Sequence, residues 1–294
     1  MMRYLLIIAM TLGFTAGCSD HFDPVDYPPA APTDVYSITG DGEATLVWNP
    51  NNEPDLDIYA VYSCEEEFGR YELEGTTDNT YYTVYFPNGI TRYLAVAAVD
   101  FIGNESELSY STVWDTPRPE GYNLTVFALL YDSLNTNSSR CAVDFSDYNS
   151  QMVQALDNPS NDIYIDNFEG TLYINAYAED TDIALFGVTS YLSDVDYIDP
   201  EQYEWAEEGY FFLAEDYSYV VWTWDNHFAA IRVLEVYPDR AVLAWAYQIE
   251  EGNPQLKISG IPGIENEQQR TRKIRPKTRV SSEAWREPSL AGLK

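Results

Sequence analysis

The sequence predicts an all-β protein built as two antiparallel units in series. Aromatic residues make up 15% of its 294 residues, 25 of them tyrosine, and aromatic and β-branched side chains favour the half-buried pleated surface of a sheet. They fall in short runs that alternate apolar and polar, the period of a strand. Clusters of Gly, Pro, Asn and Asp separate the runs, as turns demand.

Residues 30–118 form the first unit. Positions 34–39 alternate, and Gly40-Asp41-Gly42 turns the chain into 44–48 before Asn49-Pro50-Asn51-Asn52 breaks it. Further strands are expected at 58–63, 79–86 and 92–100, with turns at Pro87-Asn88-Gly89 and Gly103-Asn104, and a last strand at 109–113. Residues 119–264 form the second unit. Strands are expected at 123–131, 162–166, 170–177, 183–188, 209–214 and 217–224, and the run 226–236, Tyr237-Pro238-Asp239-Arg240, 241–249 reads as a hairpin. Residues 146–156 are the one helical candidate of note. Sandwich and barrel both remain open for this unit.

The first unit resembles a fibronectin type III domain. Pro29 and Pro32 precede its first strand, and Trp48-Asn49-Pro50 resembles the second-strand tryptophan and its following proline. Ile58–Tyr62 resembles the third strand, and Tyr93–Asp100 the sixth, with Tyr93 at the tyrosine-corner position. Phe86 departs from the leucine usual before the Pro87 turn. The resemblance implies a β-sandwich spacer or binding platform with Trp48 and Tyr93 as packing residues. The loop 100–106 holds no Arg-Gly-Asp, so adhesion of that type has no support. The stretch Val221–Val233 with Trp245–Ile249 is similar to the C-terminal part of exported bacterial proteins that pair such a module with a β-domain. That likeness implies architecture and no activity.

Residues 1–18 resemble a bacterial lipoprotein signal peptide: one arginine, an apolar run, and Thr15-Ala16-Gly17 before Cys18. Thr15 departs from the branched aliphatic usual there. The resemblance implies cleavage after Gly17, acylation of Cys18, and a lipid-anchored protein of the cell envelope, at the outer membrane. Residues 19–29 are a Pro-rich tether in extended geometry. The export it implies permits a disulfide, but Cys64 and Cys141 fall in different units; two separate buried thiols are the expectation, with a bridge left open.

Charge divides the chain. Residues 1–264 hold 8 Lys/Arg against 44 Asp/Glu, a net of −36, whereas residues 265–294 hold 8 against 4, a net of +4. A body this acidic repels phosphate backbones, which excludes nucleic acid, and repels anionic lipid, so the membrane partner is reached through acyl chains. Residues 265–294, lacking apolar periodicity, read as a disordered basic tail. It either rests on the acidic body or hooks an anionic polymer or acidic protein.

Little catalytic chemistry is legible. The sequence has only two histidines, His21 in the tether and His227 beside Asp225, and no nucleophile elbow, phosphate loop or zinc spacing. Asp194, Asp196 and Asp199 offer hard oxygens for Ca²⁺, without the glycine and terminal glutamate of an EF-hand; a solvated acidic loop is the plainer reading, and no other cofactor is implied. Trp205, Trp222 and Trp224, with His227, are the ligand-binding candidates. Exposed, they would stack on sugar rings; Trp222 and Trp224 would share one strand face, and that face is as readily core. The expectation is a non-enzymatic envelope lipoprotein, a binding or scaffold module for a surface polysaccharide, an ion or an envelope protein. A carboxylate-dependent hydrolase acting on extracellular polysaccharide and a purely structural component are the alternatives.

Overall fold

A computed structural model describes residues 27–110, 113–131 and 136–256. Residues 1–26 and 265–294 lie outside the described residues, and with them the signal peptide, Cys18, His21, most of the tether and the basic tail.

The first unit is a sandwich of two antiparallel sheets. One has the order β1 (Tyr36–Thr39), β2 (Glu43–Val47), β5 (Tyr81–Tyr85). The other has the order β4 (Glu72–Thr77), β3 (Leu56–Cys64), β6 (Arg92–Asp100), β7 (Val113–Asp115). This is a fibronectin type III-like arrangement. Alternation decides what faces the core: Ala44 and Leu46 of β2 and Leu94, Val96 and Ala98 of β6 face one another across the sheets. Trp48 packs edge-on against Tyr59 at 5.2 Å, and burying each such ring contributes about 2–3 kcal/mol. Phe86 is buried in the same core, so the departure from leucine keeps the packing role. Tyr93 is half-buried at the start of β6.

Strand β1 reverses the usual logic. Ser37 and Thr39 point inward, where their hydroxyls both donate to the buried Asp115 carboxylate, Thr39 at 2.7 Å. Burial pushes the Asp115 carboxyl up to about 6 despite these donors.

The second unit is also a sandwich, which settles the choice against a barrel. Its first sheet runs β11 (Val153–Gln154), β10 (Ala142–Val143), β12 (Ile163–Phe168), β13 (Thr171–Ala176), β15 (Tyr210–Phe212), with β9 (Leu129–Leu130) parallel to β12. Its second runs β14 (Asp182–Val188), β16 (Tyr217–Trp222), β17 (Phe228–Tyr237), β18 (Arg240–Gln248), β8 (Glu120–Phe127). Ile163, Ile165, Leu172 and Ile174 meet Tyr219, Val221, Ile231 and Trp245 between the sheets. The predicted hairpin at 237–240 forms, as β17 and β18. The helical candidate at 146–156 does not. A 3-10 turn at Phe145–Asp147, with Asp144 accepting from Ser146 N, gives way to β11.

The second sheet buries its other face too. Ala184, Val220, Trp222, Phe228 and Ala244 pack beneath Leu192, Val195 and Ile198 of the β14–β15 connection. That segment is therefore a third layer.

Between the units the chain has no slack: Thr116 to Pro119 are buried. Arg118, 1% exposed, donates from Nε to the Leu256 carbonyl and from Nη1 to Glu120 at 2.7 Å. Gln248 Nε2 donates to Thr116 O and Gln255 O. Gly89, at φ 75, donates to Pro117 O, and a Cβ there would stand 2.6 Å from Ile249 Cγ1. Only glycine suits both the angle and the approach.

Candidate functional site

The outer face of the first sheet of the second unit carries a polar centre among aromatic rings. Directly paired residues share a face, as do positions two apart on one strand. Asp166 pairs with Tyr173, and Tyr173 with Phe212; Tyr164 pairs with Asn175, and Asn175 with Tyr210. These six residues therefore lie on one side, while Ile163, Ile165, Leu172 and Ile174 supply the core on the other.

At the centre, Asp166 is 8% exposed and Asn175 is 9% exposed. Asp166 Oδ1 accepts from Asn175 Nδ2 at 3.0 Å, and Oδ2 accepts from the Tyr131 hydroxyl at 2.6 Å. Burial, followed by that contact with Asp166, drives the Tyr131 phenol well above its ordinary value. Burial, then Asp166, pushes Tyr164 up to about 12. Tyr131 and Tyr164 are accordingly neutral hydrogen-bonding groups across the physiological range. Toward the sheet edge, Tyr210 and Phe212 are 43% and 45% exposed. Tyr173 and Tyr210 meet edge to face at 5.7 Å, and the Tyr210 hydroxyl donates to Glu208 at 2.7 Å. Rigid rings beside an acceptor-rich centre suit the apolar C–H faces and the hydroxyls of a sugar.

The sequence-predicted candidates lie elsewhere. Trp222 is 7% exposed and stacks on Phe228 at 5.3 Å and near Trp205 at 6.1 Å. Trp205 is half-buried and donates from Nε1 to Pro200 O at 2.9 Å. Trp205 lies in the third layer, and Trp222 packs beneath it from β16. Trp224 does not share a face with Trp222, because β16 ends at Trp222 and the turn that follows has Asn226 at φ 69. Trp224 is 45% exposed in that turn. Asp194, Asp196 and Asp199 are not gathered. Each turns to nearby donors: Asp194 to Ser190 N and Tyr191 N, Asp196 to Tyr197 N, Asp199 to Glu201 N and Gln202 Nε2. Among the described residues no three His, Cys, Asp or Glu side chains are placed to hold a metal ion. Cys64 and Cys141 are separate buried thiols, and burial pushes Cys141 up to about 11.

His227 belongs to a different cluster, at one end of the second sandwich. Its Nδ1 lies 3.2 Å from Asp225 Oδ1. Its ring lies 5.5 Å from that of Tyr247. Asp144 and Asp162 approach from the opposite sheet. Burial pushes Asp162 up to about 8, with Asp225 and Asp144 adding to the rise, although Phe145 N donates to it at 2.8 Å. Burial raises Asp225 too, but His227 and the Thr223 hydroxyl outweigh it and hold the carboxyl below its ordinary value.

No protein-family model matches the chain. A segment of 101 residues, 33% of this chain, is 34% identical to 8% of the amylopullulanase of Thermoanaerobacterium saccharolyticum. A 101-residue segment is 32% identical to 5% of the amylopullulanase of Thermoanaerobacterium thermosulfurigenes. The chain thus spans less than a tenth of these relatives' length. Among solved structures, an Fn3-like protein from Clostridium thermocellum aligns over 32% of this chain and all of its own, at 27% identity and a TM-score of 0.27. A β-1,2-glucanase from Parabacteroides distasonis aligns over 32% of this chain and 13% of its own, at 22% identity and a TM-score of 0.28.

Proposed function

We propose that this is a non-enzymatic, carbohydrate-associated protein of the cell envelope. Acylated at Cys18 and held off the membrane by its tether and first sandwich, it binds polysaccharide on the outer face of β12, β13 and β15. The observation that carries the reading is the set Asp166, Asn175, Tyr173 and Tyr210: two hydrogen-bonding groups at the centre of the outer sheet face, with aromatic rings beside them. The segment shared with two amylopullulanases supports a carbohydrate context and says nothing of catalysis in this chain.

The test is calorimetric titration of the protein with soluble polysaccharides. Tyr173→Ala should weaken binding about tenfold or more, the scale of one lost stacking contact. Trp224→Ala should leave it unchanged. Equal binding by wild type and Tyr173→Ala, or no binding to any polysaccharide, would refute the reading.

The end cluster supports a hydrolytic alternative, since neighbouring carboxyls held in opposite protonation states are what an acid–base pair requires. Asp162 is ill placed for that work: it is 3% exposed and already accepts from a backbone N–H. Release of reducing ends from a bound polysaccharide, abolished by Asp162→Asn, would establish the alternative.

A further inference from the structure

We infer that the ligand of this face is an uncharged glycan, and that Asp166 selects it by accepting hydrogen bonds from sugar hydroxyls. The inference rests on the polysaccharide reading above and narrows it to a chemical class.

Three observations carry it. The first is the count of acceptor positions on Asp166. A carboxylate offers about four lone-pair directions. Asn175 Nδ2 and the Tyr131 hydroxyl take one on each oxygen. The others remain for a ligand on a side chain that is still 8% exposed. Two fixed neutral donors hold the carboxylate in place, so its orientation costs nothing further on binding.

The second is the scarcity of cations among the described residues to receive an anionic polymer. The described residues contain no lysine and only six arginines. Arg118, Arg232 and Arg240 are paired with Glu120, Asp216 and Asp239. Arg92 reaches Ser63 and Glu65, Arg140 lies 3.4 Å over the Phe127 ring, and Arg70 is exposed on the β3–β4 loop of the first sandwich, in the other unit. Against them stand a whole-chain charge of −32 and, at the face itself, Asp166 and Glu208. A uronate or sulfated polymer would meet like charge at this face.

The third concerns cationic glycans. Asp166 and Glu208 each accept from a neutral hydroxyl or amide, Glu208 from Tyr210. These are the short contacts of an alcohol-recognising site. An ammonium group could reach only the same open positions on Asp166, and at a side chain 8% exposed it would give up strong hydration that a sugar hydroxyl does not carry.

The test compares a neutral glucan, alginate and chitosan, each titrated into the full chain and into Tyr173→Ala, so that only binding dependent on the face is scored. The neutral glucan should bind with an affinity that changes less than about twofold between low and high salt, since no charge pair is screened. Asp166→Asn, which keeps the shape and halves the acceptors, should weaken it about tenfold or more. Tyr210→Ala, at an exposed edge, should also weaken it, and serves if Asp166→Asn disturbs the fold. Face-dependent binding of alginate, or of chitosan with affinity that falls steeply with salt, would overturn the inference while leaving polysaccharide binding intact. Neutral binding unmoved by Asp166→Asn in a folded protein would overturn the role of that residue. Failure of all three polymers would remove the underlying reading instead.

Discussion

Arg118→Ala lowers the free energy of unfolding by about 2–3 kcal/mol, the cost of leaving a buried carbonyl without its donor and a part-exposed carboxylate without its partner. The guanidinium is 1% exposed and holds the Leu256 carbonyl and the Glu120 carboxylate, while the backbone N–H of Arg118 donates to Gly40 O at 3.2 Å. Alanine keeps the last and forfeits the other two. The Leu256 carbonyl loses its donor in a buried place, and Glu120 loses its charge partner. Lysine keeps the charge but not the planar fork that reaches both acceptors, so Arg118→Lys should recover less than half of the loss. Arg240→Ala is the control. Arg240 and Asp239 are 36% and 45% exposed, and removing such a pair should cost at most about 0.5–1 kcal/mol. Urea titrations of the three variants check these values.

The second large effect depends on pH. Burial holds the Asp162 carboxyl at about 8 in the folded chain, against an ordinary value of 3.8. The folded state therefore binds that proton more tightly than the unfolded state. The stability it contributes is complete below about pH 4 and declines as pH rises toward 8, where the carboxylate ionises beside Asp144 and Asp225. Over that window the loss is on the order of 3–5 kcal/mol for a group this deeply buried. Asp162→Asn preserves an acceptor for Phe145 N and removes the titration. The variant should exceed wild type in stability at pH 9 by about 3 kcal/mol, and the gap should close near pH 4. Asp225 has the opposite sign. Its carboxyl is held low, so its contribution is present above the ordinary carboxylate value and is lost as pH falls below it. Urea midpoints from pH 4 to 9 for wild type and Asp162→Asn measure the difference directly.

Much of the architecture is legible in sequence because strand period and turn chemistry are local. The alternation at 92–100, the turn at 237–240 and the Trp48–Pro50 signature each need only a few neighbouring residues, and each has its structural counterpart. The face of β12, β13 and β15 is not local. The run 170–177 already places Tyr173 and Asn175 on one side of a strand, but nothing in it says that Tyr210 will pair beside Asn175. Tyr131 reaches Asp166 across 35 positions. The tryptophans mislead for a related reason. Period two holds only while the strand lasts, and β16 stops at Trp222. The acidic stretch 190–207 misleads through its charge. Leu192, Val195 and Ile198 recur among its carboxylates, and that spacing is the overlooked sign of a segment laid over a sheet.

Hydroxyl-radical footprinting with and without a neutral glucan reads which surface the polymer covers. Tyr210 and Phe212 are open to the probe at 43% and 45% exposure, as are Tyr85 at 75% and Trp224 at 45% on other surfaces. The glucan should protect Tyr210, Phe212 and Tyr173 and leave Tyr85 and Trp224 as reactive as before. Protection centred on Trp224 and His227, or on the first sandwich with the β13–β15 face still reactive, would contradict binding at that face.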